Sequence, residues 1–114
     1  MSERYMLFIM ERVSDFEGFT AEQQEELDEK HRVFARQIVD AGAQVLASDP
    51  LDDPSPASRF APGVLATDGP FAEAAEIVMG YYTLLVRDEA QARELAALCP
   101  TTRYVDLRRI LPTA

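Results

Sequence analysis

The two most apolar stretches of the chain predict the centre of a β-sheet. They are Arg4–Glu11 (RYMLFIME) and Ile77–Val86 (IVMGYYTLLV), and both are apolar at odd and at even positions. Because successive side chains of a strand point to opposite faces of the sheet, such a stretch fits a strand that is covered on both sides. We therefore expect these two segments to be central strands.

A long helix is predicted between them. Thr20 can cap its start, with Gln23 at the third position as in a capping box. The helix should run to Ala41, because Gly42 follows and glycine commonly ends a helix. Its apolar stripe has helical spacing and consists of Leu27, His31, Phe34, Ile38 and Ala41.

A second helix follows the second apolar strand. Asp88 can cap it, again with a glutamine, Gln91, at the third position, and Pro100 ends it. Residues 103–109 then alternate as a closing strand, with Val105 and Leu107 on one face. The buried stripe of this helix should consist of Ala92, Leu95, Ala96 and Cys99.

The middle of the chain predicts an edge strand, a loop and a hairpin. Residues 43–48 favour a short strand, and residues 49–63 contain a cluster of prolines and small polar residues that is typical of a loop. Pro62-Gly63 can form a turn that pairs residues near Arg59 with Val64–Thr67.

The resulting order, β, helix, β, hairpin, β, helix, β, is a split βαβ arrangement of the α+β class. Right-handed crossovers would place both helices on one face of an antiparallel, ferredoxin-like sheet. The other face has no helix to cover it, and exposing Phe8, Met10, Tyr82 or Leu84 there would leave a large apolar patch. We therefore expect a homodimer of the dimeric α+β barrel type.

Composition narrows the functional classes. The 114 residues suffice for one domain, residues 1–114, and a net charge of −9 disfavours binding to nucleic acid and to anionic membrane surfaces. No apolar run reaches the length of a bilayer span, and the N-terminus does not resemble a signal peptide, so we expect a cytoplasmic protein. Cys99 is the single cysteine, and we expect neither a metal nor a cofactor.

A sequence motif resembles a known family. Residues 67–73 (TDGPFAE), followed by Gly80-Tyr81-Tyr82, are similar to the signature of the DGPF branch of the YCII-related family. The resemblance extends over nearly the whole chain, through residues 4–7, 31–42, 99–100 and 105–108 and through Arg59. It implies a ferredoxin-like domain that dimerises through its sheets. Distant relatives are small lyases or isomerases that use a His and Asp pair, and some members are encoded beside extracytoplasmic-function sigma factors.

His31 and Asp68 are the candidate catalytic residues. His31 is the only histidine and lies on the stripe that faces the sheet, where it could transfer protons or could simply be a hydrogen-bonded residue at the edge of the core. Asp68 stands in a rigid Asp-Gly-Pro turn and could orient the imidazole, or could only bond backbone amides of its own turn. We predict that the two side chains meet.

Arg59, Tyr82 and Arg108 are the candidate ligand-binding residues. An arginine can hold a carboxylate or phenolate through its planar fork of donors, although a surface ion pair is the simpler role for Arg59 and for Arg108. Tyr82 shares a strand face with Gly80, which leaves room for a pocket. The sequence thus favours a dimer that binds a small anionic or aromatic molecule in a cleft. The alternatives are a cofactor-free lyase or isomerase with a His/Asp pair, and a non-catalytic partner of a sigma-factor system.

Overall fold

A computed structural model describes residues 2–54, 59–67 and 75–113. The elements in chain order are β1 (Glu3–Glu11), a 3₁₀ turn (Val13–Phe16), α1 (Ala21–Asp40), β2 (Gln44–Pro50), β3 (Arg59–Ala61), β4 (Val64–Thr67), β5 (Ile77–Val86), α2 (Glu89–Ala96) and β6 (Tyr104–Arg109). No helix in these ranges is long and apolar enough to cross a membrane.

The main sheet is antiparallel with the strand order β2-β5-β1-β6, which is the ferredoxin-like α+β arrangement. The two strands that are apolar on both faces, β1 and β5, are the central ones, as predicted. β3 and β4 form a separate two-stranded sheet, and Gly63 between them has φ +71°, a conformation that favours glycine. The predicted hairpin is therefore confirmed.

The predicted starts of both helices and the predicted end of α1 are confirmed in atomic detail. The Thr20 hydroxyl accepts a hydrogen bond from the Gln23 amide at 3.0 Å, and the Gln23 side chain accepts one from the Thr20 amide at 2.8 Å. Gly42 follows α1 with φ +82°. At α2, Asp88 accepts from the Gln91 amide at 2.9 Å. The predicted end of α2 at Pro100 is wrong, because α2 ends at Ala96 and the chain continues only in turns, in which the amides of Leu98 and Cys99 bond to the carbonyls of Leu95 and Ala96.

β2 extends further than predicted. It pairs with β5 as far as Pro50 opposite Gly80, where the sequence indicated a loop from Asp49 onward. Proline is tolerated here because β2 is an edge strand and does not need every backbone N–H for pairing.

The core lies between the helices and one face of the sheet. Both helices contribute to the same apolar cluster, α1 through Phe34 and Ile38 and α2 through Ala92 and Leu95, so both lie on one face of the sheet. The buried strand residues beneath them are Tyr5, Leu7 and Ile9 of β1 and Tyr82, Leu84 and Val86 of β5.

This arrangement corrects the predicted facing of β5. Tyr82 and Leu84 were expected on the uncovered face of the sheet, but they lie under the helices, 6% and 0% exposed. The register explains the difference, because Leu7 of β1 pairs with Tyr82 and Phe8 pairs with Tyr81. Paired residues share a face. Since β5 is apolar at both its odd and its even positions, its sequence alone does not indicate which of the two sets of side chains points to the core.

A carboxylate fixes the 3₁₀ turn to the start of β6. Asp15 accepts hydrogen bonds from the Arg12 amide at 3.1 Å and from the Thr102 hydroxyl at 2.7 Å. Arg103 binds both of its oxygens, at 2.8 and 2.9 Å. These contacts lower the pKa of Asp15 far below its usual range, the Arg103 guanidinium having the largest effect. The turn that follows β1 is thus held in place.

Candidate functional site

A cleft of about 570 Å³ lies between α1 and the edge of the sheet formed by β2 and β5. Its walls are largely apolar and include Phe16 and Phe19 after β1, Leu27 on α1, Leu51 after β2, and Met79. The rings of Phe16 and Phe19 pack edge to face with centroids 5.2 Å apart. The cleft has the size and lining of a typical small-molecule site.

His31 and Tyr82 form the polar centre of the cleft. His31 points from α1 towards the sheet, and its Nδ1 lies 2.7 Å from the Tyr82 hydroxyl oxygen. The two rings are stacked at 5.9 Å, and Phe34 packs edge to face against Tyr82 at 5.0 Å. The apolar stripe of α1 therefore places the imidazole of His31 against the buried phenol of Tyr82. The structure brings together two of the residues that the sequence singled out.

Ser48 adds a third member to this group. It stands directly opposite Tyr82 in the β2–β5 register, on the same face of the sheet, and it lines the cleft. Sequence reasoning missed Ser48 because a serine near the end of a short strand has no distinguishing pattern. Only the cross-strand register connects it with the other two residues.

Burial keeps this group uncharged. Burial lowers the pKa of His31 below its ordinary 6.5, although the negative charges of Glu11 and Asp28 partly offset the effect. Burial also raises the pKa of Tyr82, with a small opposing effect from Ser48. The imidazole and the phenol are therefore both neutral at neutral pH.

The charged side chains that line the cleft are mostly acidic. Within the described residues they are Glu11, Asp28 and Asp49, against one basic residue, Arg32. Arg32 is already engaged on the outside of α1, by Glu25 at 2.6 Å and Glu29 at 2.8 Å. In the described part of the chain, the cleft therefore presents a negative rather than a positive field.

Two of these acids are held in place by the fold. Glu11 is 6% exposed and accepts a hydrogen bond from the Thr102 amide at 2.8 Å. Asp49 accepts one from the Tyr81 hydroxyl at 2.5 Å, which raises the pKa of Tyr81. Glu11 was not singled out in the sequence because it is the last residue of an otherwise apolar strand.

Of the other predicted site residues, Arg108 lies away from this group. Arg108 is exposed on β6, opposite Met6, on the sheet face that the helices leave uncovered. Arg59 is the first residue of β3, in the separate hairpin. Asp68 lies outside the described residues, so its predicted meeting with His31 stays a prediction.

Cys99 is not a nucleophile. It is buried, and burial raises the pKa of its thiol to about 12, with a further contribution from the charge of Glu11. A thiol with so high a pKa stays protonated at neutral pH and is unreactive. The described residues also contain no group of three or more His, Cys, Asp and Glu side chains arranged to hold a metal ion.

The family model of the YCII-related domain matches residues 4–113. The chain belongs to the YCII-related family. The match covers every helix and strand that positions the cleft except the first residue of β1, so His31, Ser48 and Tyr82 all lie within the YCII-related domain. A search of curated proteins found no significant match.

Proposed function

We propose that this YCII-related protein, which we assign to the DGPF branch on residues 67–73, binds a small aromatic molecule in the cleft between α1 and the β2–β5 edge. The observation that carries the proposal is the combination of apolar, partly aromatic walls with a single neutral polar centre, the His31–Tyr82 pair. Ligand pockets typically combine a predominantly apolar lining with a few polar groups that orient the ligand.

Of the two ligand classes that the sequence favoured, the aromatic one has the better support. An anion would meet the carboxylates of Glu11 and Asp49, and Arg32, the one arginine that lines the cleft among the described residues, is occupied elsewhere. Like charges in a partly buried site repel each other more strongly than in water. An uncharged aromatic ring avoids this cost and can stack against Phe16 and Phe19.

The proposal can be tested by titration with the uncharged fluorescent probe N-phenyl-1-naphthylamine. Ala35 lines the cleft on α1, so Ala35→Phe should fill it and weaken probe binding about tenfold or more. Gln37→Phe is the matched control, because Gln37 is exposed on the same helix outside the cleft, and it should leave binding unchanged. If the probe does not bind, or if both variants bind it as the parent does, the cleft is not the binding site.

We further propose that the chain forms a homodimer through the uncovered face of the sheet. This is supported by Met6, Phe8 and Met10 of β1, which are only partly buried on that face. Phe8→Lys should shift the mass measured by light scattering from dimer to monomer at micromolar concentration. The control is Val39→Lys on the exposed side of α1, which should leave the mass unchanged. A parent protein that is monomeric would refute the proposal.

A second candidate function is a cofactor-free lyase or isomerase with His31 and Asp68 as the acid and base. A neutral imidazole in a cleft, hydrogen bonded to a buried phenol, favours it. A carboxylate beside His31 should raise the pKa of the imidazole. Titration of His31 by NMR in the parent and in Asp68→Asn should therefore give a lower pKa in the variant. Equal values would mean that the two residues are not coupled.

A further inference from the structure

The Tyr82 hydroxyl carries one proton and lies 2.7 Å from His31 Nδ1. This hydrogen bond can have either of two directions. In the first order Tyr82 donates to Nδ1, so that the imidazole proton is on Nε2. In the second order Nδ1 donates to Tyr82, and Nε2 carries a lone pair.

The chemistry of the groups favours the first order. A phenol, with a pKa of about 10, is a more acidic donor than a serine hydroxyl or a neutral imidazole N–H, and an imidazole nitrogen is the most basic acceptor of the three. The strongest donor is therefore matched with the strongest acceptor when Tyr82 donates to His31. The short distance between the two atoms agrees with such a pairing.

The second ring nitrogen of His31 remains for a ligand. His31 lines the cleft, and its Nδ1 is engaged by Tyr82. Among the hydrogen bonds within residues 2–54, 59–67 and 75–113, none occupies Nε2. That nitrogen is available to a ligand.

We infer that Tyr82 is a positioning residue that holds His31 as its Nε2–H tautomer, so that Nε2 donates a hydrogen bond to an uncharged acceptor on the ligand. The acceptor class is a carbonyl oxygen or an aromatic ring nitrogen. The ligand part of this inference rests on the proposed function. A neutral histidine of this tautomer cannot accept a proton at Nε2, which favours a binding site over a general base at that atom.

The first test is the tautomer itself, read from long-range ¹H–¹⁵N NMR correlations of the imidazole above its pKa. His31 is the only histidine, so the signals need no assignment. The parent should show the Nε2–H pattern. Tyr82→Phe should move the Nδ1 resonance because its donor is lost. Tyr5→Phe is the control, since it removes another buried tyrosine hydroxyl, one that binds Glu3.

An Nδ1–H pattern in the parent would overturn the inference. So would an Nδ1 resonance that Tyr82→Phe leaves unchanged, because Tyr82 would then not position the ring. Both results are independent of any ligand, and they therefore leave the proposed function standing.

The second test compares matched uncharged probes, 2-acetylnaphthalene and 2-isopropylnaphthalene, with 2-naphthoate as the anionic member. One hydrogen bond to Nε2–H should make the ketone bind about three- to tenfold more tightly than the hydrocarbon. The naphthoate should bind more weakly than the ketone. Tyr82→Phe should reduce the preference for the ketone while the hydrocarbon still binds.

The outcomes separate the two proposals. If the ketone and the hydrocarbon bind equally well to the parent, the cleft binds aromatic molecules but the donor role of His31 is wrong. If naphthoate binds most tightly, the uncharged acceptor is wrong. If no naphthalene derivative binds, the proposed function fails together with the ligand part of the inference, and the NMR result alone decides the role of Tyr82.

Discussion

Asp15 offers the sharpest test of how the cleft wall is held, because one carboxylate joins the turn after β1 to the start of β6. It accepts from the Arg12 amide, the Thr102 hydroxyl and both donor groups of Arg103, at 2.7 to 3.1 Å. Its side chain is 13% exposed. The next residue, Phe16, lines the cleft. Loss of these bonds should therefore affect both stability and the binding site.

Asp15→Asn keeps the size of the side chain but removes its charge and one acceptor oxygen. Hydrogen bonds to a charged group contribute about 1.5–3 kcal/mol each, and the amide of asparagine can keep part of the network. Because the Arg103 side chain is about a third exposed, solvent screens its share of the interaction. We expect the free energy of unfolding at pH 7 to fall by about 1–3 kcal/mol.

The pH dependence follows from the lowered pKa of Asp15. The unfolded chain binds the proton near the ordinary value of 3.8, whereas the folded chain binds it only at lower pH. The stabilisation is therefore fully present above that value and is lost as the pH falls through the folded pKa. The difference between the parent and Asp15→Asn should narrow as the pH falls below 3.8.

Urea unfolding followed by circular dichroism measures this difference at pH 7 and at a series of lower pH values. Asp40→Asn is the control, because Asp40 is exposed at the last turn of α1, where a negative charge is unfavourable. That variant should be as stable as the parent or slightly more stable. If Asp15→Asn unfolds at the same urea concentration as the parent, the network does not stabilise the fold. If the deficit of Asp15→Asn stays constant below pH 3.8, the stabilisation does not depend on the charge of Asp15.

Three further predictions concern the helix layer and the site. Leu84→Ala should lower the free energy of unfolding, measured in urea, by about 2–5 kcal/mol, because Leu84 is fully buried under the helices. Leu85→Ala should lower it clearly less, and equal losses would contradict the corrected facing of β5. Gly42→Ala should lower the free energy of unfolding by about 1 kcal/mol, because the φ of +82° at this position is strained for alanine. An unchanged melting temperature would contradict this. Burial lowers the pKa of His31 in the folded chain, so as the pH falls the unfolded chain takes up the imidazole proton at a higher pH than the folded chain does. The stability of the fold therefore decreases as the pH drops through 6.5. His31→Gln should flatten this slope between about pH 7.5 and about pH 5.5, and an unchanged slope would show that His31 is not its source.

The sequence by itself determined the order of the elements and the central strands. Apolar residues at odd and at even positions identified β1 and β5. The capping pairs Thr20/Gln23 and Asp88/Gln91 located the starts of both helices. Capping, periodicity and glycine turns act over a few residues, and so they can be recognised in a linear sequence. The family resemblance depended on such local signals too.

The facing of β5 and the composition of the site were decided by the tertiary structure. A strand that is apolar on both faces has no polar side to mark its orientation, and only its pairing with β1 turned Tyr82 towards α1. Ser48 meets Tyr82 through the register of β2, and His31 reaches it across 51 positions of sequence. Local sequence signals do not encode such contacts, because they depend on how strands and helices pack rather than on the spacing of residues along the chain.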